Sequence, residues 1–293
     1  MSSQKIGLIG IGRMGRGMGN RILHAGFPLT VHDIQPEAGA DLLAGGACWA
    51  QTPAELARDA DVILLSLPAT EIVETVLFGE LGVVQSIQSG CVVIDTSTIS
   101  PVATRLFAQR LAEKGASMLD APVSGGSEGA SKGTLAAMVG GSQAVLDHVR
   151  PVLDVLTRTV THVGDSGSGQ AVKMVNQVIL VGNVMAMSEG ILLAKHYGLD
   201  LEAVLQAVQG GAAGSWMLSN LAPSVINEDW NPSFTIELQL KDLRIALDTA
   251  DRLGVPLPGT AQIFQLYRSI AARGKGQDGN HSLIQALYAL LNE

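Results

Sequence analysis

Short apolar runs alternate with helix-like stretches through the first half of the chain. Between residue 5 and about residue 163, the strand-like runs are KIGLIG, PLTVHD, VILLSLP, GCVVIDTS, ASMLDAP and LAAMVGG. Stretches with helical character, such as MGRGMGNRILHAG and SPVATRLFAQRLAEKG, separate them. Continuous apolar strands that alternate with helices are typical of a parallel sheet covered by helices on both faces. The first half of the chain therefore predicts a doubly wound α/β domain.

The pattern changes after THVGDSGSGQ, and from Ala171 onward the periodicity is mainly helical. The segment from Met174 to Ala194 is apolar enough to resemble a membrane span. Four polar residues interrupt it: Asn176, Gln177, Asn183 and Glu189. Because polar groups inside a bilayer are costly, we interpret this segment as a long buried helix. The sequence thus predicts an α/β domain in residues 1–164 and an all-α domain in residues 165–293.

Composition limits the partners. The 293 residues are 47% hydrophobic and 16% charged, so a large part of the chain is expected to be buried. Oligomerisation is one way to bury apolar surface. The net charge of −8 argues against nucleic acid or an anionic membrane as the main partner. The six histidines form no ligand cluster in sequence, so no metal is expected. Two free cysteines and the absence of a secretory signal in MSSQKIGLIG indicate a cytoplasmic protein.

The stretch GLIGIGRMG places Gly10, Gly12 and Gly15 in the GxGxxG spacing. The first glycine permits a tight turn, the second lets the backbone approach a pyrophosphate, and the third lets the next helix pack on the strand. The N-terminus of the following helix then offers free backbone N–H groups and the positive end of its dipole to the phosphates. The alternative is a purely structural glycine turn, but a strand before the motif and a helix after it favour a dinucleotide site. The motif also contains Ile11, Arg13 and Met14.

The second strand, LTVHD, ends in Asp33. Its carboxylate can accept hydrogen bonds from the 2′- and 3′-hydroxyls of a ribose and would repel a 2′-phosphate. The following residues, IQPE, include no arginine or lysine to neutralise that phosphate. The sequence therefore predicts NAD as the cofactor in preference to NADP.

The stretch GSGQAVKMVNQ opens the second half. On a helix, Gln170, Lys173, Asn176 and Gln177 share one face because they are three and four residues apart. A lysine on an otherwise apolar helix either extends its amino group to solvent or has a partner or a functional role. The glycine-rich segment before it and the amide neighbours favour a cleft between the domains. In a dry cleft beside a cationic nicotinamide, a lysine is expected to have a lowered pKa and to exchange a proton with a substrate hydroxyl.

Five motifs in order, GLIGIGRMG, DAPVSGG, GTLAAMVGG, GSGQAVKMVNQ and LKDLRIAL, resemble those of the β-hydroxyacid dehydrogenase family. The family includes 3-hydroxyisobutyrate dehydrogenases, tartronate semialdehyde reductases and, more distantly, 6-phosphogluconate dehydrogenases. The resemblance implies a Rossmann-type domain, a long interdomain helix and a helical C-terminal domain that commonly dimerises. It also implies that Lys173 is catalytic and that the protein is a homodimer or homotetramer.

The resemblance further implies which residues bind the ligands. The DAPVSGG loop would hold a substrate carboxylate at Ser124, Gly125 and Gly126, and successive backbone N–H groups with a hydroxyl do form such an anion site. Asn176 and Gln177 would position substrate oxygens, although the family also shows two asparagines at this pair. Further cofactor contacts are implied at Leu67, Pro68, Ser97, Thr98 and Lys241. The alternatives are that STIS provides a Ser or Thr that caps a helix before Pro101, and that Lys241 and Asp242 are an ordinary exposed helical pair.

Within the family, GGAAGSWML, LPGTAQ and GQDGNHSLIQAL look more like the tartronate semialdehyde reductase branch. His281 stands where the hydroxyisobutyrate enzymes more usually have Phe. The expected reaction is the reduction of tartronate semialdehyde to glycerate, with Lys173 as general acid and base. A 3-hydroxyisobutyrate or other short 3-hydroxy acid dehydrogenase is the alternative. A noncatalytic dinucleotide-binding module is a remote one, because Lys173 and the carboxylate loop are both present.

Overall fold

The computed structural model describes residues 4–291. The chain forms two compact units, of which the first ends at Lys173 and the second begins at Met174. This division lies within a single long helix, Ser168–Tyr197.

The first unit contains one sheet. Its strands are β1 (Ile6–Ile9), β2 (Leu29–His32), β3 (Cys48–Trp49), β4 (Val62–Leu65), β5 (Val92–Asp95), β6 (Ser117–Asp120), β7 (Val123–Ser124), β8 (Leu135–Gly140) and β9 (Thr157–Gly164). The order is β3-β2-β1-β4-β5-β6-β8-β7, and β9 pairs with β8. All pairs among β1 to β6 are parallel, whereas β8 runs antiparallel to β6 and β7. The predicted Rossmann-type doubly wound sheet is confirmed.

Helices cover both faces of this sheet. They are α1 (Arg13–His24), α2 (Ala40–Ala44), α3 (Pro53–Ala57), α4 (Thr70–Phe78), α5 (Pro101–Ala112), α6 (Gly126–Lys132) and α7 (Gln143–Asp154). Leu8 belongs to the apolar core on one face, together with Met18 of α1, and Ile9 belongs to the core on the other face, together with Phe107 of α5. Neighbouring residues of a strand point to opposite faces, so strands buried on both faces must be apolar throughout.

The parallel register brings the carboxyl ends of five strands to one edge of the sheet. Ile9 pairs with both His32 and Leu65, and Asp95 pairs with both Leu65 and Asp120. From β1 the chain continues to β2 on one side, and β4 lies on the other side of β1. Ligands of doubly wound sheets bind beside the carboxyl ends at such a reversal of strand order. The residues that follow these strands are therefore the first candidates for a site.

The second unit is helical. Most of α8 (Ser168–Tyr197) belongs to it, followed by α9 (Leu201–Val208), α10 (Trp216–Ile226), α11 (Ile236–Leu253), α12 (Pro258–Ile270) and α13 (Ile284–Leu290). Its core includes Val181 and Val184 of α8, Leu243 of α11 and Tyr267 of α12. The Tyr267 hydroxyl donates a hydrogen bond of 2.7 Å to the backbone oxygen of Asn280. The predicted helical C-terminal region is confirmed.

By length and composition alone, α8 is apolar enough to cross a membrane, a test that core helices of soluble proteins also pass. Val181, Val184, Met187 and Ile191 form one face of α8, and this face is buried in the core of the second unit. Packing within the protein therefore accounts for the apolar residues of this face.

Candidate active site

The turn between β1 and α1 carries the three glycines of the motif. Gly10 has a φ of +94°, and a Cβ atom on it would lie 2.3 Å from the backbone oxygen of Ser66. A Cβ atom on Gly15 would lie 1.9 Å from the backbone oxygen of Gly10. Beside Gly12, by contrast, no atom lies within 4 Å of the Cβ position. Gly10 and Gly15 therefore shape the turn, and Gly12 leaves the backbone open to a ligand, which is the arrangement that a pyrophosphate needs.

Helix α1 begins directly after this turn. Gly12 is its N-cap and provides no side-chain cap, and the first turn contains no acidic residue. An uncapped helix start attracts anions because its backbone N–H groups and its dipole are both positive. Arg13 is exposed in this turn and Met14 is half-buried, whereas the side chain of Ile11 lies in the core of the sheet.

Asp33 is tied to the same turn. Its Oδ2 accepts a hydrogen bond of 2.6 Å from the backbone N–H of Ile11, and its Oδ1 accepts one of 2.9 Å from Gln35. Each carboxylate oxygen can accept a second hydrogen bond, so both retain capacity for ribose hydroxyls. The next side chain, Ile34, is 91% exposed and carries no charge. Asp33 therefore lies next to the glycine-rich turn with capacity for further hydrogen bonds.

The loops after β4 and β5 are joined through Ser97. Its hydroxyl accepts a hydrogen bond of 2.8 Å from the backbone N–H of Leu67, and its own N–H donates to Oδ1 of Asp95 at 2.9 Å. The N-cap of α5 is Ser100, so a serine before Pro101 does cap this helix, whereas Ser97 and Thr98 do not. Ser97 is buried, Thr98 and Leu67 are half-buried, and Pro68 is exposed.

The loop that follows β7 turns through two glycines with positive φ, +132° at Gly125 and +64° at Gly126. Ser124 ends β7 opposite Ala136 of β8. Apart from its chain neighbours and the backbone of α6, no atom lies within 4 Å of the Cβ position of Gly126, and the start of α6 has no side-chain cap. The backbone of this loop is therefore open at Gly126, and its role in binding an anion stays a prediction.

Lys173 lies beside this loop. Its Nζ donates a hydrogen bond of 2.8 Å to the backbone oxygen of Val123, the residue before Ser124. The lysine is only 7% exposed, so it does not extend to solvent, which was the alternative left open by the sequence. The first unit thus places the amino group of Lys173 next to the loop that begins at Ser124.

Two residues that the sequence did not assign to the site hold the start of α8. Asp120 accepts hydrogen bonds from the backbone N–H groups of Gly167, at 2.8 Å, and Gln170, at 2.9 Å. Burial raises the pKa of the Asp120 carboxyl above its usual value, while these two bonds act in the opposite direction. The Gln170 side chain accepts from the N–H of Ile99 at 3.1 Å and donates to the oxygen of Ser97 at 2.8 Å. The signals in the sequence were the place of Asp120 at the start of DAPVSGG and the place of Gln170 on the helix face of Lys173.

In the second unit, a chain of polar contacts surrounds Gln177. Asn176 donates from Nδ2 to Oε1 of Gln177 at 2.8 Å, and Gln177 donates from Nε2 to Oδ2 of Asp242 at 2.6 Å. Lys241 forms an ion pair of 2.8 Å with the other oxygen of Asp242. Because Asp242 is buried and holds Gln177, the alternative of an ordinary exposed pair is wrong for it. Asn176 and Gln177 follow Lys173 on α8 by three and four residues.

His281 is buried, and its Nε2 lies 2.8 Å from the backbone oxygen of Asp229. Among residues 4–291, no group of three or more His, Cys, Asp or Glu side chains is arranged to hold a metal ion.

Comparison with known proteins identifies both halves of the chain. Residues 5–164 match the profile of the NAD-binding domain of 6-phosphogluconate dehydrogenase. Residues 167–287 match that of the NAD-binding domain of NADP-dependent 3-hydroxyisobutyrate dehydrogenase. Together the profiles show that this is an NAD(P)-binding protein.

Whole-chain relatives agree. The chain is 41% identical to 2-hydroxy-3-oxopropionate reductase of Escherichia coli over 98% of both sequences. It is 37% identical to 2-(hydroxymethyl)glutarate dehydrogenase of Eubacterium barkeri over 97% of this chain and 94% of that one. The structure of Mycobacterium tuberculosis 3-hydroxyisobutyrate dehydrogenase with L-serine superposes with a TM-score of 0.90 at 30% identity, over 97% of this chain and 99% of that one. The protein is therefore an oxidoreductase of the β-hydroxyacid dehydrogenase family and belongs to its 3-hydroxyisobutyrate dehydrogenase-like members.

Proposed function

We propose that this protein reduces a short semialdehyde that carries a carboxylate to the corresponding β-hydroxy acid, with NADH as the cofactor and tartronate semialdehyde as the preferred substrate. The product would then be glycerate. The observation that carries the proposal is the hydrogen bond of 2.8 Å between Nζ of Lys173 and the backbone oxygen of Val123. This bond holds a proton donor beside the loop that is open to a carboxylate.

The names of the relatives indicate the shared part of the substrate. In 2-hydroxy-3-oxopropionate, 2-(hydroxymethyl)glutarate and L-serine, a single carbon carries both a carboxylate and a one-carbon group at the alcohol or aldehyde level. Only the third substituent on that carbon differs, as hydroxyl, carboxyethyl or amine. A site for such compounds must therefore hold a carboxylate and place a proton donor beside the oxygen of the neighbouring one-carbon group.

The residues of the first unit match that requirement. The substrate carboxylate is assigned to the loop Ser124–Gly126, where a hydroxyl and approachable backbone N–H groups provide donors without a net charge. Lys173 is assigned as the general acid, and its ammonium protonates the oxygen of the aldehyde as that oxygen becomes an alkoxide. In the oxidation direction the neutral amine accepts the same proton. The nicotinamide cofactor supplies the hydride when it is bound.

Asn176 is assigned to the third substituent. It follows Lys173 by three residues on α8, a spacing that places Cβ atoms about 5–6 Å apart. Both ends of the Gln177 amide are engaged, one with Asn176 and the other with Asp242. We therefore assign Gln177 to orienting Asn176 rather than to direct contact with the substrate. The hydroxyl of tartronate semialdehyde suits an amide partner better than the methyl group of methylmalonate semialdehyde does.

NADH preference is assigned to Asp33, whose carboxylate is fixed by Ile11 and Gln35 and has no cationic neighbour at Ile34. A 2′-phosphate in this position would face a negative charge.

The test is a steady-state comparison of tartronate semialdehyde, methylmalonate semialdehyde and a neutral aldehyde of similar size, each with NADH and with NADPH. We expect the highest kcat/KM for tartronate semialdehyde with NADH. A higher value for methylmalonate semialdehyde would instead assign the protein as a 3-hydroxyisobutyrate dehydrogenase. NADH binding with no turnover of either acid would show a noncatalytic module.

A further inference from the structure

We propose that Asp120 and Gln170 are positioning residues that fix Lys173 relative to the carboxylate loop and to the loop after β5. The inference rests on the catalytic role proposed for Lys173. It concerns two buried polar side chains whose hydrogen bonds run to Ser97, Ile99, Gly167 and Gln170.

Asp120 holds the start of α8. Backbone N–H groups at a helix start have no partners within the helix, and the two oxygens of Asp120 accept from two of them, those of Gly167 and Gln170. The surroundings are tight: a Cβ atom on Gly140 would lie 2.6 Å from Oδ1, and one on Gly169 would lie 2.9 Å from Oδ2. The Asp120 carboxylate is therefore restricted to one conformation, and its two hydrogen bonds fix the helix start to the end of β6.

Gln170 fixes the rotation of the helix about its axis. It is fully buried, and its amide bonds to both the oxygen of Ser97 and the N–H of Ile99. Lys173 lies three residues further along α8 and so emerges from the same side of the helix. Asp120 fixes the position of the helix start along its axis, and Gln170 fixes the rotation about that axis. Together they determine where the Lys173 side chain lies.

The short segment from Asp120 to Val123 contacts α8 twice. Its first residue binds the helix start, and its last accepts the hydrogen bond from Lys173 at 2.8 Å. The next residue is Ser124, the first residue of the anion loop. A change at Asp120 therefore alters the distance from Lys173 to that loop, and an error of about 1 Å in a reacting group costs on the order of 100-fold in rate.

Asp120→Asn tests this directly. An asparagine has one acceptor oxygen, so its amino group must face an N–H of Gly167 or Gln170. We expect kcat to fall about 10- to 100-fold, with the KM for the acid substrate and the Kd for NADH nearly unchanged. We also expect a larger primary isotope effect with 4-deuterated NADH, because the chemical step becomes slower. Gln170→Leu, of similar size, should behave in the same way and provides a second variant if Asp120→Asn folds poorly.

A double-mutant cycle separates positioning from a purely structural role. In a Lys173→Ala background, Asp120→Asn should cause no further loss of kcat, because the group that it positions is gone. Asp154→Asn is the matched control, since it removes an exposed carboxylate from the same unit. Amide exchange in residues 167–173 should be faster in Asp120→Asn and unchanged in the control.

Equal losses of kcat in the wild-type and Lys173→Ala backgrounds would overturn the positioning role, as would losses that only follow the fraction of unfolded protein. Wild-type kcat in Lys173→Ala itself would overturn the proposed function, and the positioning role with it. If Lys173→Ala loses activity and the losses of kcat from Lys173→Ala and Asp120→Asn are additive in the double mutant, only the positioning role is overturned.

Discussion

Asp33 accepts a hydrogen bond of 2.6 Å from the backbone N–H of Ile11. The acid predicted to read the ribose therefore also fixes the glycine-rich turn that is predicted to hold the pyrophosphate. A substitution at Asp33 has two effects, one on charge and one on the shape of the turn, and a test of cofactor preference must separate them.

For cofactor choice, we expect a higher kcat/KM for NADH than for NADPH in the wild type. Asp33→Asn keeps an acceptor for Ile11 and removes the charge, so it should improve the use of NADPH with a modest loss for NADH. Asp33→Ser combined with Ile34→Arg adds a cation for the phosphate and should reverse the preference. A wild type that prefers NADPH would contradict the assignment of Asp33.

For the proton donor, Lys173→Ala should lower kcat by roughly 100- to 10,000-fold, the usual range for loss of a general acid or base. Its NADH affinity, measured by fluorescence titration, should change little, because Lys173 bonds to Val123 rather than to the glycine-rich turn. Lys173→Arg keeps the positive charge but holds its proton too tightly to exchange it near neutral pH. This control should be nearly as inactive, and an active Lys173→Arg enzyme would show that charge alone is required.

For the anion loop, Ser124→Ala should reduce the advantage of acid substrates over a neutral aldehyde of similar size. A hydrogen bond to a charged group contributes roughly 1.5–3 kcal/mol, so the ratio of the two kcat/KM values should fall about 10- to 150-fold. The neutral aldehyde itself should be turned over at nearly the same rate by both proteins. If wild type reduces the neutral aldehyde as well as the acids, the loop does not bind a carboxylate.

For assembly, we propose that α8 contributes to a homodimer or homotetramer. Most exposed residues along one side of α8 are apolar or small, namely Val175, Ile179, Gly182, Ala186, Gly190, Leu193 and Tyr197, and the charged Glu189 is exposed on the same side. We expect an oligomer by light scattering, and a smaller species when Ile179→Glu and Leu193→Glu are combined. Leu81→Glu changes an equally exposed leucine of the first unit and should leave the mass unchanged. A monomeric wild type would contradict the proposal.

For stability, the buried carboxyl of Asp120 predicts a pH dependence with a definite sign. Burial raises the pKa of the Asp120 carboxyl in the folded protein above the value of about 3.9 that an aspartate has in the unfolded chain. Between these values the folded state holds a proton that the unfolded state has lost, so stability falls as pH rises through the folded pKa. The urea midpoint of the wild type should therefore fall relative to that of Asp120→Asn as pH increases from about 3.5 to 7. The opposite trend would show that the hydrogen bonds outweigh burial.

The sequence predicted those elements whose signal is local. The six apolar runs are β1, β2, β4, β5, β6 and β8, and the glycine spacing predicted the turn after β1. It missed β3 and β7, which are two residues long, and most of β9, whose exposed Thr and Arg residues form no apolar run. These strands exist because a partner strand pairs with them, and the antiparallel place of β8 likewise depends on distant pairing.

The same distinction applies to the site. Lys173, Asp33 and the loop of Ser124 could be named because each lies in a motif of characteristic spacing. Gln170 could be placed on the face of Lys173, but the contacts of Asp120 and Gln170 could not be predicted, because their partners are 47 to 73 residues away. Physical contacts across such distances are a product of the folded sheet.

The division of the chain within α8 has a consequence for protein engineering. Chimeras that exchange C-terminal halves between relatives would be cut by sequence near residue 165, where the two family profiles separate. A cut there takes Gly167 and Gln170 from one parent and Asp120 from the other, although these residues form one hydrogen-bonded unit. A crossover placed after Lys173 keeps the whole set in a single parent. Substrate preference could then be transferred with the second half while the proton donor stays in its original surroundings.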